Sequence, residues 1–160
     1  MKNIVFSLAL LLTVWACGPA EKKAEAAVEQ ATGTEASVEQ AEKAVFAVHD
    51  EAMPRIDEVM KLKKALNGQL VALDSVAATA NPTQALRADE QKAQVRQLVT
   101  RLTEADSLMM DWMANYNGDT LKKIPQAEAI RYLNDQKQRI TDAKNKIDQS
   151  ISQANAYLQP

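Results

Sequence analysis

Residues 45–66, VFAVHDEAMPRIDEVMKLKKAL, carry the pattern that decides the fold. Apolar side chains recur there at intervals of three and four, from Val45 to Leu66, which is the spacing of one face of an α-helix. The same stretch contains the only histidine of the chain, His49, and one proline, Pro54. We therefore expect a long helix here, against which much of the chain packs.

The same spacing continues outward and defines three helical segments. The first begins at the candidate N-cap Ser37, with Gln40 three residues later as in a capping box. The second follows the Asn-Pro-Thr turn at 81–83 and ends before Asn-Gly-Asp at 117–119, and the third begins near Pro125. The apolar stripes of the three segments are Val45, Val48, Ala52, Ile56, Val59, Leu62, Leu66, Leu70, Leu73 and Ala77; Val95, Leu98, Leu102, Ala105, Met109, Trp112 and Tyr116; and Ile130, Leu133, Ile140, Ala143, Ile147, Ile151, Ala154 and Leu158.

Composition and connection lengths together predict the architecture. Helix formers such as Ala, Gln, Leu, Lys and Glu dominate, the chain has four glycines, and no segment alternates polar and apolar residues as a strand does. Short turns between long helices make neighbouring helices antiparallel. We expect an all-α, up-down-up antiparallel three-helix bundle, similar to a coiled coil, over residues 37–160. A coiled-coil dimer is the alternative, and three segments of comparable length favour the bundle.

Pro54 predicts a kink in the first helix. A proline inside a helix removes one hydrogen bond and clashes with the carbonyl four residues back, that of Asp50, which costs about 3 kcal/mol. One interpretation is a bend that lets the helix wrap around its partners, or a break between a lead-in helix and the main one. The other is that the kink frees a carbonyl beside His49 and opens a gap for a ligand.

The amino-terminal residues predict export and lipidation. Residues 1–16 combine Lys2, an apolar run and a small residue before Cys17, which is the pattern of a signal peptide that ends at a lipobox. An ordinary secretory signal is the alternative, but Cys17 is the only cysteine and has no disulfide partner within the chain. Residues 17–36 are small and charged, which predicts an acylated cysteine followed by a flexible tether.

The anchor and the charge of the chain limit its partners. Several acyl chains, palmitate among them, would hold Cys17 in a membrane permanently, because each buried methylene contributes about 0.8 kcal/mol. The net charge is −2 and no dense basic block is present, so nucleic acid is a poor partner. We expect membrane attachment through the lipid anchor and a protein partner in the cell envelope.

A cluster of soft side chains is the one candidate ligand site. If the first two helices turn near residue 81, facing residues have numbers that sum to about 162, which pairs His49 with Met113 and Met53 with Met109. Thioethers and imidazole favour Cu(I). Methionine more often fills irregular gaps in a core, so packing is the competing interpretation.

Other chemistry finds no support in the sequence. The motifs of carboxylate-bridged di-iron, zinc-protease and phosphate-loop sites are missing, and paired acids such as Asp57 and Glu58 fit a solvated helix face. We therefore expect no catalytic residue, and no haem or other cofactor.

Residues 49–63 together with residues 108–113, LMMDWM, resemble a group of small helical lipoproteins from the Bacteroidota that carry the label viral A-type inclusion protein-like. The resemblance implies no activity, substrate or cofactor. It does imply a cell with two membranes, and so an outer-membrane lipoprotein facing the periplasm, although exposure on the cell surface stays open.

The sequence leads to two hypotheses for the function. The first is a non-catalytic envelope lipoprotein that binds a protein through exposed apolar residues, with Phe46, Val99 and Met110 as candidates. The alternative is a Cu(I)-binding lipoprotein that uses His49, Met53, Met109 and Met113.

Overall fold

The computed structural model of the chain describes the backbone of residues 21–159 and the side chains of residues 37–159. The helices in this part of the chain are α1 (Glu21–Thr79), α2 (Pro82–Asn115), a short 3₁₀ helix (Gly118–Lys122) and α3 (Gln126–Leu158). The predicted signal peptide, 1–16, and Cys17 lie outside the described residues, and both stay predictions. None of the described helices combines the length and the apolar character needed to cross a membrane.

From Thr34 onward the chain forms one unit, and in it α1, α2 and α3 pack as an up-down-up three-helix bundle. One face of each helix contributes to a continuous core, which confirms the predicted fold class. Its fully buried members include Val45, Val59 and Leu66 from α1, Val95, Leu102 and Met109 from α2, and Leu133, Ile140, Ile147 and Ile151 from α3.

The predicted helix ends agree with the structure at the two turns but not at the start. Asn81 caps α2 through a capping box, since its side chain accepts from the amide of Gln84 at 2.9 Å and Gln84 Oε1 accepts from the Asn81 amide at 3.3 Å. At the other end, α1 begins at Glu21, so Ser37 lies inside the helix and the predicted N-cap there is wrong. Residues 21–36, within the predicted tether 17–36, are rich in Ala, Glu, Lys and Gln, which favour helix by intrinsic propensity.

Pro54 lies in the interior of α1, which continues on both sides of it. The predicted alternative of a break between two separate helices is therefore wrong. The size of any bend at Pro54 stays a prediction.

Polar contacts set the register between α1 and α3. Arg55 Nε lies 3.2 Å from Asp148 Oδ1, Lys144 Nζ lies 3.3 Å from Glu51 Oε1, and further along Asn155 donates to Glu58 Oε1 at 3.1 Å. Each exposed ion pair contributes little stability. As a set they show that α3 runs parallel to α1 and that its last turn lies near the level of Glu58.

Candidate functional site

His49 lies between α1 and α2 with both ring nitrogens in polar contact. Its Nδ1 is 3.0 Å from Asp50 Oδ1, and its Nε2 is 3.4 Å from Met113 Sδ. The side chain is 22% exposed, so solvent reaches the ring although most of it is covered. The contact with Met113 confirms the register predicted for this pair. It places an imidazole nitrogen and a thioether sulfur together, which are both soft donors.

The other two methionines of the predicted cluster take different positions. Met53, one turn along α1 from His49, is half-buried against the edge of the core. Met109, one turn before Met113, is fully buried in the core cluster. Their metal-binding role stays a prediction, and the environment of Met109 is that of a packing residue.

Two aromatic rings contact His49, and two tyrosines extend this cluster toward the end of the bundle. The His49 ring centroid lies 5.7 Å from that of Trp112 and 6.3 Å from that of Phe46. Tyr116 stacks at a tilt on Trp112, with centroids 5.2 Å apart, and lies 6.1 Å from Tyr132 of α3. The stripe spacing predicted that Trp112 and Tyr116 face the core, but not that the rings form one cluster with His49.

Tyr116 connects this aromatic cluster to a polar network that sequence analysis missed. Its hydroxyl donates to Glu42 Oε1 at 2.9 Å, and the Tyr132 hydroxyl accepts from the Asn117 amide at 2.9 Å. The chain passes close by at Gly118, where a Cβ would lie 3.3 Å from Glu42 Oε1 and 3.5 Å from the Tyr116 ring. The only signal in the sequence was the placement of Tyr116 beside the Asn-Gly turn.

Burial, and after it the hydrogen bond to Glu42, raises the pKa of the Tyr116 hydroxyl well above its ordinary value of 10.0. A group whose pKa is raised by folding stabilises the folded state. For Tyr116 this contribution is fully present below pH 10.0 and is lost as the pH rises above that value. We expect the free energy of unfolding of the wild type to fall toward that of Tyr116→Phe as the pH increases from 9 to 11, because only the wild type must keep this phenol protonated. Urea unfolding of both proteins across that range measures the difference.

Tyr157→Phe, at the far end of α3, is the matched control. If the free energies of unfolding of the wild type and Tyr116→Phe differed by the same amount at every pH, Tyr116 would not be the group whose pKa folding raises. The same conclusion would follow if Tyr157→Phe gave the same change with pH as Tyr116→Phe. The Lys144 ammonium, whose pKa is raised by its hydrogen bond to Asp148, is present in all three proteins and cancels.

Trp112 closes the site on its inner side. Its indole is 6% exposed, and the buried Nε1 has no hydrogen-bond partner among the described residues. The ring also lines a groove of about 480 Å³ between α2 and α3, together with Leu108, Gln136 and Arg139. Trp112 therefore packs against residues of α1 and also lines the groove between α2 and α3.

The exposed apolar residues differ in part from those predicted. Phe46 and Met110 are exposed, as expected, but Val99 is partly buried against the core and was predicted wrongly. Val99 follows the buried Leu98 and packs against the core cluster. The most exposed large apolar residues lie elsewhere, at Val71, Leu86, Val76 and Met60.

The described geometry defines a three-helix bundle with one histidine–methionine contact inside an aromatic cluster. Within the described residues, no group of three or more His, Cys, Asp or Glu side chains is arranged to hold a metal ion. No protein-family model, curated protein or solved structure matches this chain, and the resemblance to helical lipoproteins stays a prediction.

Proposed function

We propose that this chain is a non-catalytic cell-envelope lipoprotein, anchored through Cys17 at the outer membrane and facing the periplasm, whose bundle binds a helix of another envelope protein. The observation that carries the proposal is the far end of the α1–α2 hairpin. There, in residues 67–94, which we call the hairpin tip, the outer part has two helices where the rest of the bundle has three.

The position of α3 accounts for this exposed end. Its last residues, Gln153, Ala156 and Tyr157, lie beside Gln91 and the residues that follow it in α2. Residues 82–90 of α2 therefore extend beyond the third helix, by about 13 Å at 1.5 Å per residue. The groove at the tip, about 370 Å³ in volume, is lined only by residues of α1, α2 and the turn between them.

Burial changes at the same level. Within residues 67–94 only Ala88 is buried, whereas Val71, Val76 and Leu86 are 68%, 54% and 61% exposed. Leu70 and Leu73 continue the core stripe of α1 but are only partly covered. An apolar stripe that continues past its last partner helix favours an interaction with another molecule.

The two helices of the tip are held together without a third. Lys92 lies 2.8 Å from Asp89 and 3.0 Å from Asp74, so its ammonium connects α2 to α1. These hydrogen bonds, that to Asp89 first, raise the pKa of Lys92. A tip that is already helical loses little conformational entropy when a partner binds.

The lining of the tip groove indicates what kind of partner fits. It is composed of small, apolar and amide side chains with one cation, Arg87, and includes Val76, Ala80, Ala88, Gln84 and Gln91. Small residues allow a helix to approach closely, and a lining with a single charged side chain does not select for a highly charged partner. We therefore assign the groove to an amphipathic helix with an apolar stripe, which would take the place that α3 occupies lower in the bundle.

Site-specific photo-crosslinking in the native cells tests this function. A photoreactive residue at Val76 of the full chain is expected to give one product with a partner of defined mass, whereas the same residue at exposed Gln138 on α3 gives none. Leu86→Glu in the tip should reduce the Val76 product, because a carboxylate there opposes apolar packing. Cys17→Ser should move the chain out of the membrane fraction and also reduce it.

Three outcomes would overturn the proposal. Equal crosslinking at Val76 and Gln138 would show that the tip is not selective. No product at Val76 would show that the tip has no partner. A product of twice the chain mass would identify a second copy in place of another protein. Since Val76 and Leu86 are exposed, these changes should alter the stability of the bundle by no more than about 0.5 kcal/mol.

A further inference from the structure

We propose that His49 Nε2 and Met113 Sδ form a binding site for a soft monovalent metal ion of the Cu(I) class. The site lies between α1 and α2, at the end of the bundle that is distant from the hairpin tip. It adds a ligand to the proposed function and does not depend on the partner-binding surface.

The contact with Asp50 determines which nitrogen of His49 is available. A carboxylate oxygen can only accept, so the Nδ1 atom, 3.0 Å from Asp50 Oδ1, carries the proton and donates it. In a neutral imidazole this leaves a lone pair on Nε2. A carboxylate that holds the far nitrogen of a histidine is the usual support for a metal-ligating imidazole, because it orients the ring and increases the basicity of the other nitrogen.

The contact between His49 Nε2 and Met113 Sδ requires a positive charge at or between the two atoms. A thioether sulfur has lone pairs and no proton, so the Nε2 and Sδ atoms of a neutral His49 would direct lone pairs at each other across 3.4 Å. A positive charge between or on these atoms removes the conflict. It is either a proton on Nε2, which would donate to sulfur, or a metal ion bound by both atoms.

The spacing fits a metal ion. With bonds of about 2.0 Å to nitrogen and about 2.3 Å to sulfur, as for a closed-shell d¹⁰ ion, an Nε2–Sδ distance of 3.4 Å corresponds to an angle near the tetrahedral value. Further coordination positions then stay open. We assign one to Met53, which is half-buried one turn from His49, and we assign the fully buried Met109 to packing.

The surroundings select a soft ion over a hard one. The rings of Trp112 and Phe46 lie 5.7 and 6.3 Å from the His49 ring and cover the site with apolar surface. Hard cations need several oxygen ligands, whereas sulfur and imidazole nitrogen suit Cu(I). The 22% exposure of the His49 side chain provides a route for the ion.

The experiment uses the full chain in detergent and two probes, Ag(I) and, under anaerobic conditions, Cu(I). His49 is the only histidine, so its imidazole gives one set of proton NMR signals that needs no assignment. We expect one equivalent of Ag(I) to shift these signals. Competition with a chromophoric Cu(I) chelator should show binding that is weakened roughly tenfold or more by Met113→Leu and by His49→Gln.

Met60→Leu is the matched control, because Met60 is 54% exposed on α1, away from His49, and its replacement should leave the affinity unchanged. Helical circular dichroism verifies that each variant is folded. His49 signals that respond to acid but not to Ag(I) would assign the contact to a proton and overturn the proposal. Equal Cu(I) affinity of Met113→Leu and the wild type would overturn it as well. Neither result bears on crosslinking at the tip, so the two proposals can fail separately.

Discussion

Trp112→Ala should lower the free energy of unfolding by about 3–5 kcal/mol, the range for removing a large buried aromatic side chain. The indole is 6% exposed and packs against His49, Phe46 and Tyr116. Alanine would leave a cavity between α1 and α2 that the neighbouring rings cannot fill without leaving their own contacts. Urea unfolding followed by circular dichroism measures the loss.

Two matched variants separate this cavity from a general effect of substitution in α2. Trp112→Phe keeps a ring and should cost less than alanine, and Met110→Ala, at an exposed neighbouring position, should change stability by no more than about 0.5 kcal/mol. The His49 NMR signals should also move in Trp112→Ala, because they lose the ring current of the indole. If Trp112→Ala and Met110→Ala were equally stable, Trp112 could not be the side chain that closes the site.

Leu102→Ala is expected to cost about 2–5 kcal/mol, since the side chain is fully buried at the centre of α2. At this level all three helices contribute to the core, so no solvent-facing side chain can move in to fill the space. The urea concentration at the midpoint of unfolding should fall. The slope of the free energy of unfolding against urea concentration should stay the same, because the surface exposed on unfolding hardly changes.

Leu86→Ala makes the same chemical change at a residue of α2 that is 61% exposed in the hairpin tip. It should alter stability by no more than about 0.5 kcal/mol. A comparable loss in both variants would show that the tip is covered in solution, and would contradict the position at which α3 ends.

Local sequence rules were sufficient for the main features of the bundle. Leucine and isoleucine at intervals of three and four, such as Leu66, Leu102 and Ile140, can be buried only if one helix face turns inward. Asn81 and Pro82 could be recognised as a helix start, because a capping side chain and a proline at the first helical position act within one turn. At Ser37 the capping-box pattern was misleading, because α1 already begins at Glu21 among residues that favour helix, and the predicted boundary was wrong.

The candidate site was predictable in part, for a geometric reason. Once a turn near residue 81 is known, counting outward along two antiparallel helices places His49 opposite Met113, and the structure places Nε2 and Sδ 3.4 Å apart. Counting does not give side-chain directions. It therefore grouped Met109 with the ligands, although that side chain is buried in the core, and it left open which neighbour contacts the other nitrogen, which the structure shows to be Asp50.

The sequence by itself determined that this chain is helical, where its turns lie and which helix faces are apolar, because helix propensity, capping and periodicity depend on residues within a few positions of one another. Only the tertiary structure decided that Glu42 would accept a hydrogen bond from the Tyr116 hydroxyl, that two rings would contact His49 and two more would join them in one cluster, and that α3 would leave the end of the hairpin tip uncovered. Those features depend on the relative shift of three helices along their axes. That shift is set by packing and polar contacts between residues distant in the chain, which local patterns do not record.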